Sequence, residues 1–166
     1  MNAAKVETLP EKFIASRYPA ELVDSTSFLL KKLGFKAKER AFDAFDEIGM
    51  NPYHYAVLAA LAEDSHETQG ALADALGYDR GQMVGILDEL EEQELILRRR
   101  DPDDRRRQLV SITAEGRRTL TRLRTLSRKL EYELLAPLTE DERARLHELL
   151  LKLGRQHLPA CAGASR

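Results

Sequence analysis

The stretch from Thr68 to Gln93 constrains the fold more than any other part of the sequence. Thr68 can act as a helix N-cap, and Gly77 ends the apolar pattern that follows it, because glycine readily takes the left-handed conformation that closes a helix. Asp79 comes two residues later and can cap a second helix that begins at Arg80 and ends at about Gln93. The sequence therefore predicts two short helices joined by a tight turn.

Beyond this helix pair, the apolar pattern changes from helical to extended. Residues 95–97 and 109–112 are apolar stretches on either side of residues 101–104, a run of turn-forming residues. Two extended stretches separated by such a run predict a β-hairpin. A helix pair followed by a hairpin is the layout of a winged helix-turn-helix. We therefore expect a mainly α-helical fold with a small β-hairpin wing.

Further helices are predicted around the helix pair, because apolar residues recur there at three- and four-residue spacing. They are residues 19–48, 52–63, 113–137 and 139–154. Thr139 and Glu142 form the capping box of the last of these helices, and Gly154 is expected to end it. Residues 155–166 hold too little apolar material to pack independently, so we expect a flexible tail.

Charge alone argues against a nucleic-acid partner, but its distribution does not. The chain carries 26 Lys and Arg against 28 Asp and Glu, a formal net charge of −2. Residues 98–107 nevertheless hold six arginines and three aspartates, whereas residues 88–94 hold five acids and no base. Such segregation predicts a basic edge and an acidic face, as in a small DNA-binding protein. Two solvated charge runs without a function are the alternative interpretation.

The second helix of the pair has the pattern of a recognition helix, which enters the major groove of DNA. Met83, Ile86 and Leu87 mark its inward side. The residues on its outer side are Arg80, Gly81, Gln82, Val84 and Gly85. An outer arginine and glutamine can bond to bases or phosphates, and outer glycines allow close approach to DNA. The alternative for Gly85 is that it relieves crowding against a neighbouring helix.

The tip of the hairpin offers a second contact with DNA. Arg105, Arg106 and Arg107 follow the turn, where they can enter a minor groove or bind its phosphates. Asp104 is expected to orient these arginines. A solvated charged turn is the alternative interpretation.

In order and spacing, these segments resemble the MarR family of winged helix-turn-helix transcriptional regulators over residues 19–154. The most specific part is Asp-Pro-Asp-Asp-Arg-Arg at residues 101–106, followed by Ile-Thr-Ala-Glu-Gly at residues 112–116. Several helical regulators share the remaining matched segments, which are residues 51–58, 68–73 and 79–91.

The resemblance implies a homodimer that binds double-stranded DNA. Dimerisation would use residues 19–48 and 114–154, and residues 52–112 would form the DNA-binding lobe. Leucine-rich faces on these flanking helices support a dimer on physical grounds, because a small lobe cannot cover them. Two recognition helices about one turn of DNA apart would then bind a pseudopalindromic site.

The resemblance also assigns individual contacts. Asp104 and Arg106 match the Asp and Arg of the family's wing, and Arg105 occupies its variable basic position. Thr68 and Gln69, at the start of the first helix of the pair, are likewise expected to contact DNA.

Two departures from the family pattern affect these expectations. Glu94 stands where the family usually has glycine after the recognition helix, so the end of that helix must be capped in another way. Val84 and Gly85 replace the polar or basic residues that are common on the outer face. A winged-helix dimer that serves protein interaction, with weak or lost DNA specificity, is therefore the alternative function.

Regulators of this kind often release DNA when a small aromatic or anionic effector binds between the dimer helices and the lobe. Tyr53 and His54 open the second predicted helix near that junction and are candidate effector contacts. His54 shares a helical face with Leu58 and Leu61, so a partly buried structural histidine is the competing interpretation.

Other functional classes have less support. No nucleophile motif, phosphate-binding glycine loop or paired histidine spacing predicts an enzyme, a cofactor or a metal. Cys161 has no clear base or helix end nearby to lower its pKa, which argues against thiol-based sensing. No signal-peptide pattern or membrane-spanning run appears, and we expect a cytoplasmic protein.

Overall fold

The structure is a computed structural model, and it describes residues 18–63, 67–104 and 106–158. Its helices are α1 (Ala20–Val23), α2 (Thr26–Asp46), α3 (Pro52–Glu63), α4 (Gln69–Leu76), α5 (Arg80–Glu92), α6 (Ala114–Leu134) and α7 (Glu140–His157). Its strands are β1 (Glu67–Thr68), β2 (Ile96–Arg100) and β3 (Gln108–Ile112). The predicted fold class, mainly helical with a hairpin wing, is confirmed.

The described part of the chain divides into two compact units, one up to residue 38 and the other from residue 39. In the first unit, the rings of Tyr18 and Phe28 meet edge to face with centroids 5.0 Å apart, and the Lys32 ammonium lies 5.0 Å from the Tyr18 centroid. The prediction of one continuous helix over residues 19–48 is wrong, because the chain breaks between α1 and α2. The Ser25 hydroxyl accepts a hydrogen bond from the Phe28 N–H at 3.4 Å, as an N-cap does, so α2 starts anew there.

In the second unit, α3, α4, α5, α6 and the hairpin strands share one apolar core. The core includes Phe45, Leu58, Leu61, Leu72, Met83, Leu87, Leu90, Ile96, Val110, Leu120 and Leu123. In α5 the buried residues are Met83, Ile86, Leu87 and Leu90, which confirms the predicted inward side of this helix. The core therefore fixes which face of α5 is turned outward.

The hairpin belongs to a sheet with the strand order β1-β3-β2 in the described part of the chain. β2 pairs antiparallel with β3, from Ile96 opposite Ile112 to Arg100 opposite Gln108. β1 pairs with the other edge of β3, with Thr68 opposite Leu109. Strand β1 is not predictable from the sequence, because two residues are too few to show a strand pattern. The pairing joins the wing directly to the start of α4.

Side-chain caps begin several of the helices, and some helices are followed by a residue in the left-handed conformation. Each of the helices α4, α5, α6 and α7 begins with a side chain that accepts a hydrogen bond from a backbone N–H of the first turn. These N-cap residues are, in order, Thr68, Asp79, Thr113 and Thr139. Gly77 takes the left-handed conformation after α4, as predicted, with φ of +67°. After α5, Glu94 adopts the left-handed conformation, with φ of +58°. A glutamate thus takes the backbone role usual for glycine, which costs about 1 kcal/mol.

The end of α7 differs from the prediction. Gly154 does not end the helix: it is buried inside it, and α7 continues to His157. A glycine near a helix end predicts a left-handed cap, but Gly154 keeps helical geometry, and its carbonyl oxygen accepts a hydrogen bond from the Leu158 N–H at 2.7 Å. The predicted flexible tail of residues 155–166 is therefore helical at its start, and residues 159–166, including Cys161, lie outside the described residues.

Candidate nucleic-acid interface

The outer face of α5 presents the residues expected to contact DNA. Asp79 begins the helix by accepting a hydrogen bond from the Gln82 N–H at 2.9 Å. Arg80, Gly81, Val84 and Gly85 are exposed, and Gln82 is half-buried. The geometry therefore keeps all five predicted residues on the surface of the helix, while the core holds the opposite face.

The side chain of Arg80, the first residue of α5, reaches the first turn of α4. A side-chain carbon added at Gly70, in the first turn of α4, would lie 3.9 Å from a guanidinium nitrogen of Arg80. Thr68 and Gln69 stand at the same end of α4, and both are half-buried. The Thr68 hydroxyl accepts from the Ala71 N–H at 3.1 Å. The N-terminal end of α4 and the Arg80 guanidinium thus lie near each other, which suits an anion such as a phosphate.

The two glycines of α5 differ in their surroundings. A side-chain carbon at Gly81 would lie 3.2 Å from a carboxylate oxygen of Asp79. At Gly85 it would meet no other described atom within 4 Å. Crowding against a neighbouring helix of the same chain therefore does not explain Gly85, and close approach of another molecule stays a prediction.

Aspartates build the tip of the wing. The Asp101 carboxylate accepts a hydrogen bond from the Asp103 N–H at 2.9 Å, and that of Asp104 accepts one from the Arg106 N–H at 3.0 Å. Asp104 also pairs with the Arg107 guanidinium at 3.4 Å. The side chains of Arg106 and Arg107 are exposed, whereas Arg105 lies outside the described residues. The acids at the tip thus shape the turn that carries the arginines.

Arg98 is a residue that sequence analysis counted only as part of the basic run. Its guanidinium lies 2.5 Å from both the Asp88 and the Glu91 carboxylates of α5, and it is largely buried. These contacts attach the base of the wing to the second half of the recognition helix. They raise the pKa of Arg98 above its ordinary value, chiefly through the hydrogen bond to Glu91. The sequence shows an acidic run and a basic run of opposite charge. It does not show that Arg98 of the basic run pairs with Asp88 and Glu91 of the acidic run.

We expect Arg98→Met to lower the free energy of unfolding by about 1 kcal/mol, because it removes charge-assisted hydrogen bonds to partly exposed carboxylates. Arg99→Met is the matched control, since Arg99 is exposed on the same strand. Urea denaturation of both variants measures the difference. Equal midpoints for the two variants would show that the Arg98 contacts do not stabilise the lobe.

Tyr53 and His54 occupy different environments. The Tyr53 ring lies between Phe42 and Tyr78, with centroid distances of 5.5 and 5.3 Å. Burial raises the pKa of Tyr78 above its ordinary value, and Tyr53 adds to this effect. His54 is only 3% exposed, so the predicted structural burial of this histidine is confirmed. Effector contact by either residue stays a prediction.

A cavity of about 520 Å³ lies elsewhere in the second unit. It is lined by the α2–α3 connection, the residues that follow α5 and one face of α6. Its apolar lining includes Met50, Leu95, Leu123 and Leu126, and its charged lining consists of two cations, Arg122 and Lys129, and one carboxylate, Glu115. Tyr53 and His54 are not among its lining residues.

Two negative observations hold for the described residues. No group of three or more His, Cys, Asp or Glu side chains there is arranged to hold a metal ion. No helix among them is both long and apolar enough to cross a lipid bilayer.

Comparison with known proteins decides the family. A sequence profile described as MarR family matches residues 48–107. The transcriptional regulatory protein for the hcr operon of Thauera aromatica is 32% identical over 145 residues, which cover 82% of this chain and 86% of that protein. This chain belongs to the MarR family. It is therefore a transcriptional regulator of the winged helix-turn-helix type.

Two further similar proteins are named for what they bind or how they act. The transcriptional repressor CouR, solved with a 23-mer DNA duplex, has a TM-score of 0.76 and 30% identity, over 84% of this chain and all of that one. CouR from Rhodococcus jostii bound to p-coumaroyl-CoA gives a TM-score of 0.70 with 25% identity, over 83% and 95% of the two chains. The repressor NicR of Pseudomonas putida is 25% identical over 89% of this chain and 93% of its own length.

Proposed function

We propose that this MarR-family chain is a homodimeric repressor that binds a pseudopalindromic operator and is released by a small ligand. One observation carries the DNA-binding part of the proposal. The core fixes one face of α5, so Arg80 and Gln82 are held on the opposite face, and Arg98 attaches this helix to a wing with exposed arginines. A helix and a wing fixed together can contact a major groove and the adjacent minor groove at the same time.

Relatives support the repressor role. CouR and NicR are both named as repressors, and CouR has been solved on a DNA duplex. The likeness to CouR includes the whole length of that chain. We therefore assign Thr68, Gln69, Arg80, Gln82 and the wing arginines to DNA contact.

Exposed apolar side chains support the homodimer. Leu149, Leu150 and Leu153 of α7 are each more than 40% exposed. In the first unit, Leu30 and Leu33 of α2 are also exposed. Apolar surface of this kind is commonly covered by a second copy of the chain.

Release by a small ligand is supported by the cavity beside α6. Arg122 and Lys129 can attract an anionic group, and the apolar lining can hold a ring or chain. Thr119 and Glu115 accept hydrogen bonds from the Arg122 guanidinium at 3.0 and 3.3 Å, which hold this cation in place. Because the same cavity contacts Gln93, the C-cap of α5, an occupant can affect the recognition helix.

The test is a titration of the purified protein with the DNA upstream of its own gene and with a scrambled duplex, at low and moderate salt. We expect salt-sensitive preference for the upstream duplex. Arg106→Ala should weaken binding at least about tenfold and reduce the salt slope by about two, because each protomer of the dimer loses one phosphate contact. Arg145→Ala is the matched control, since it removes an equal charge from α7.

Equal and weak binding of both duplexes by the wild type would contradict the proposal. It would favour the alternative function, a winged-helix dimer that serves protein interaction. Equal losses for Arg106→Ala and Arg145→Ala would instead mean that overall charge, and not the wing, determines affinity.

A further inference from the structure

The first turn of α3 contacts both the turn before the recognition helix and the C-terminal half of that helix. The Tyr53 ring meets Tyr78, in the turn before α5, edge to face with centroids 5.3 Å apart. The next residue, His54, places its Nε2 atom 2.7 Å from a carboxylate oxygen of Glu89, near the other end of α5. At the rise of a helix, Glu89 lies about 14 Å along α5 from its first residue, Arg80. Two adjacent residues of one helix thus fix the direction of another.

The two ring nitrogens of His54 have different hydrogen-bond partners. Its Nδ1 accepts a hydrogen bond from the Asn51 N–H at 3.2 Å, and its Nε2 lies 2.7 Å from the Glu89 carboxylate and 3.2 Å from the Asn51 Nδ2 atom. Because a carboxylate can only accept, we assign the ring proton to Nε2. Nε2 therefore donates to Glu89. Asn51 is fixed in turn, because its side-chain oxygen accepts from the N–H groups of Tyr53 and His54 at 2.9 and 3.0 Å. The buried ring is held between the α2–α3 connection and the recognition helix.

Glu89 is an unusual partner, because its carboxylate is 58% exposed and belongs to the helix proposed to approach DNA. A negative charge there repels the phosphates of DNA. The charge of Glu89 by itself therefore weakens DNA binding. Asp88 and Glu91, its neighbours in the acidic run, bind Arg98 of the wing. The acidic run thus supplies two attachments of α5, one to the wing and one to α3.

We infer that His54 and Glu89 are positioning residues, whose hydrogen bond holds the recognition helix at the angle that fits operator DNA. The inference rests on the proposed DNA-binding function. Neither residue is required to touch DNA: the bond acts by limiting the movement of α5 relative to α3. Its loss therefore reduces the preference for the operator over a scrambled duplex, since non-specific phosphate binding does not need one fixed angle.

Three variants of exposed acids on α5 separate positioning from charge. Glu89→Ala removes both the charge and the bond to His54, Glu89→Gln removes the charge but keeps an oxygen acceptor, and Glu92→Ala removes a charge from the same helix. Each is titrated with the upstream and the scrambled duplex, well below its midpoint of thermal unfolding. Glu89→Ala should lose about tenfold in the ratio of the two affinities, equivalent to about 1.4 kcal/mol. Glu89→Gln and Glu92→Ala should keep the wild-type ratio and bind both duplexes as tightly as the wild type or more tightly.

Substitutions of His54 test the same bond from the other side. His54→Gln keeps a nitrogen donor near the Nε2 position, and His54→Asn keeps only a group near the Nδ1 position. The glutamine variant should therefore retain more of the preference than the asparagine variant. Unchanged preference in Glu89→Ala, or equal gains in affinity for all three acid variants, would overturn the inference while the proposed function stands. Absence of any preference in the wild type would overturn both.

Discussion

Replacement of Gly116 by alanine is expected to lower the free energy of unfolding by about 3 kcal/mol. A side-chain carbon at this position would lie 2.8 Å from Cγ1 of Ile112 and closer still to the carbonyl oxygen of Leu95. That oxygen accepts a hydrogen bond from the Thr113 N–H at 3.0 Å, and the Thr113 hydroxyl is shared between it and the Glu94 carbonyl oxygen at 3.1 and 2.9 Å. The contact is with backbone, which cannot turn away as a flexible side chain can, so the joint between β2 and α6 must open.

Gly85→Ala is the matched control for this experiment. A side-chain carbon there meets no other described atom within 4 Å. Because alanine is the better helix former, this variant should be more stable than the wild type by up to about 1 kcal/mol. Urea denaturation followed by circular dichroism measures both changes. A Gly116→Ala variant with the wild-type midpoint would show that the β2–α6 joint is not as tightly packed as the structure has it.

Elements whose signals are local could be predicted from the sequence. Thr68, Gly77 and Asp79 define helix ends through their own side chains or backbone, so the turn between α4 and α5 was placed correctly. The short strand β1 was missed because its pairing with β3 depends on residues about 40 positions away. Gly154 was misplaced as a helix end, since its burial depends on packing and not on its neighbours in sequence.

The candidate site divides in the same way. The inward spacing of Met83, Ile86 and Leu87 was enough to identify the outer face of α5. The bond between His54 and Glu89 could not be predicted, because it joins side chains 35 positions apart in the sequence. A histidine with apolar neighbours on its helical face indicates burial, but its partner depends on how α3 and α5 pack. The residues that position an interface are therefore harder to predict than those that form it.

The second large effect is expected at the proposed dimer interface. The double variant Leu149→Glu with Leu153→Glu places two carboxylates on the exposed apolar side of α7, where the wild-type side chains are 45% and 48% exposed. Burial of unpaired charges in an interface is costly, so we expect the variant to be a monomer in analytical ultracentrifugation. A monomer binds one half-site at a time. Its affinity for the upstream duplex should fall by at least about a hundredfold.

Lys152→Glu provides the control for net charge, because it changes the charge of the chain by −2, as the double variant does. Lys152 is also exposed on α7. This control should remain a dimer and keep its affinity for the upstream duplex. Because the leucines are exposed in the single chain, the double variant should also keep the wild-type far-ultraviolet circular dichroism. A folded monomer with wild-type operator affinity would mean that the two recognition helices do not act together, and the pseudopalindromic site would no longer follow from the fold.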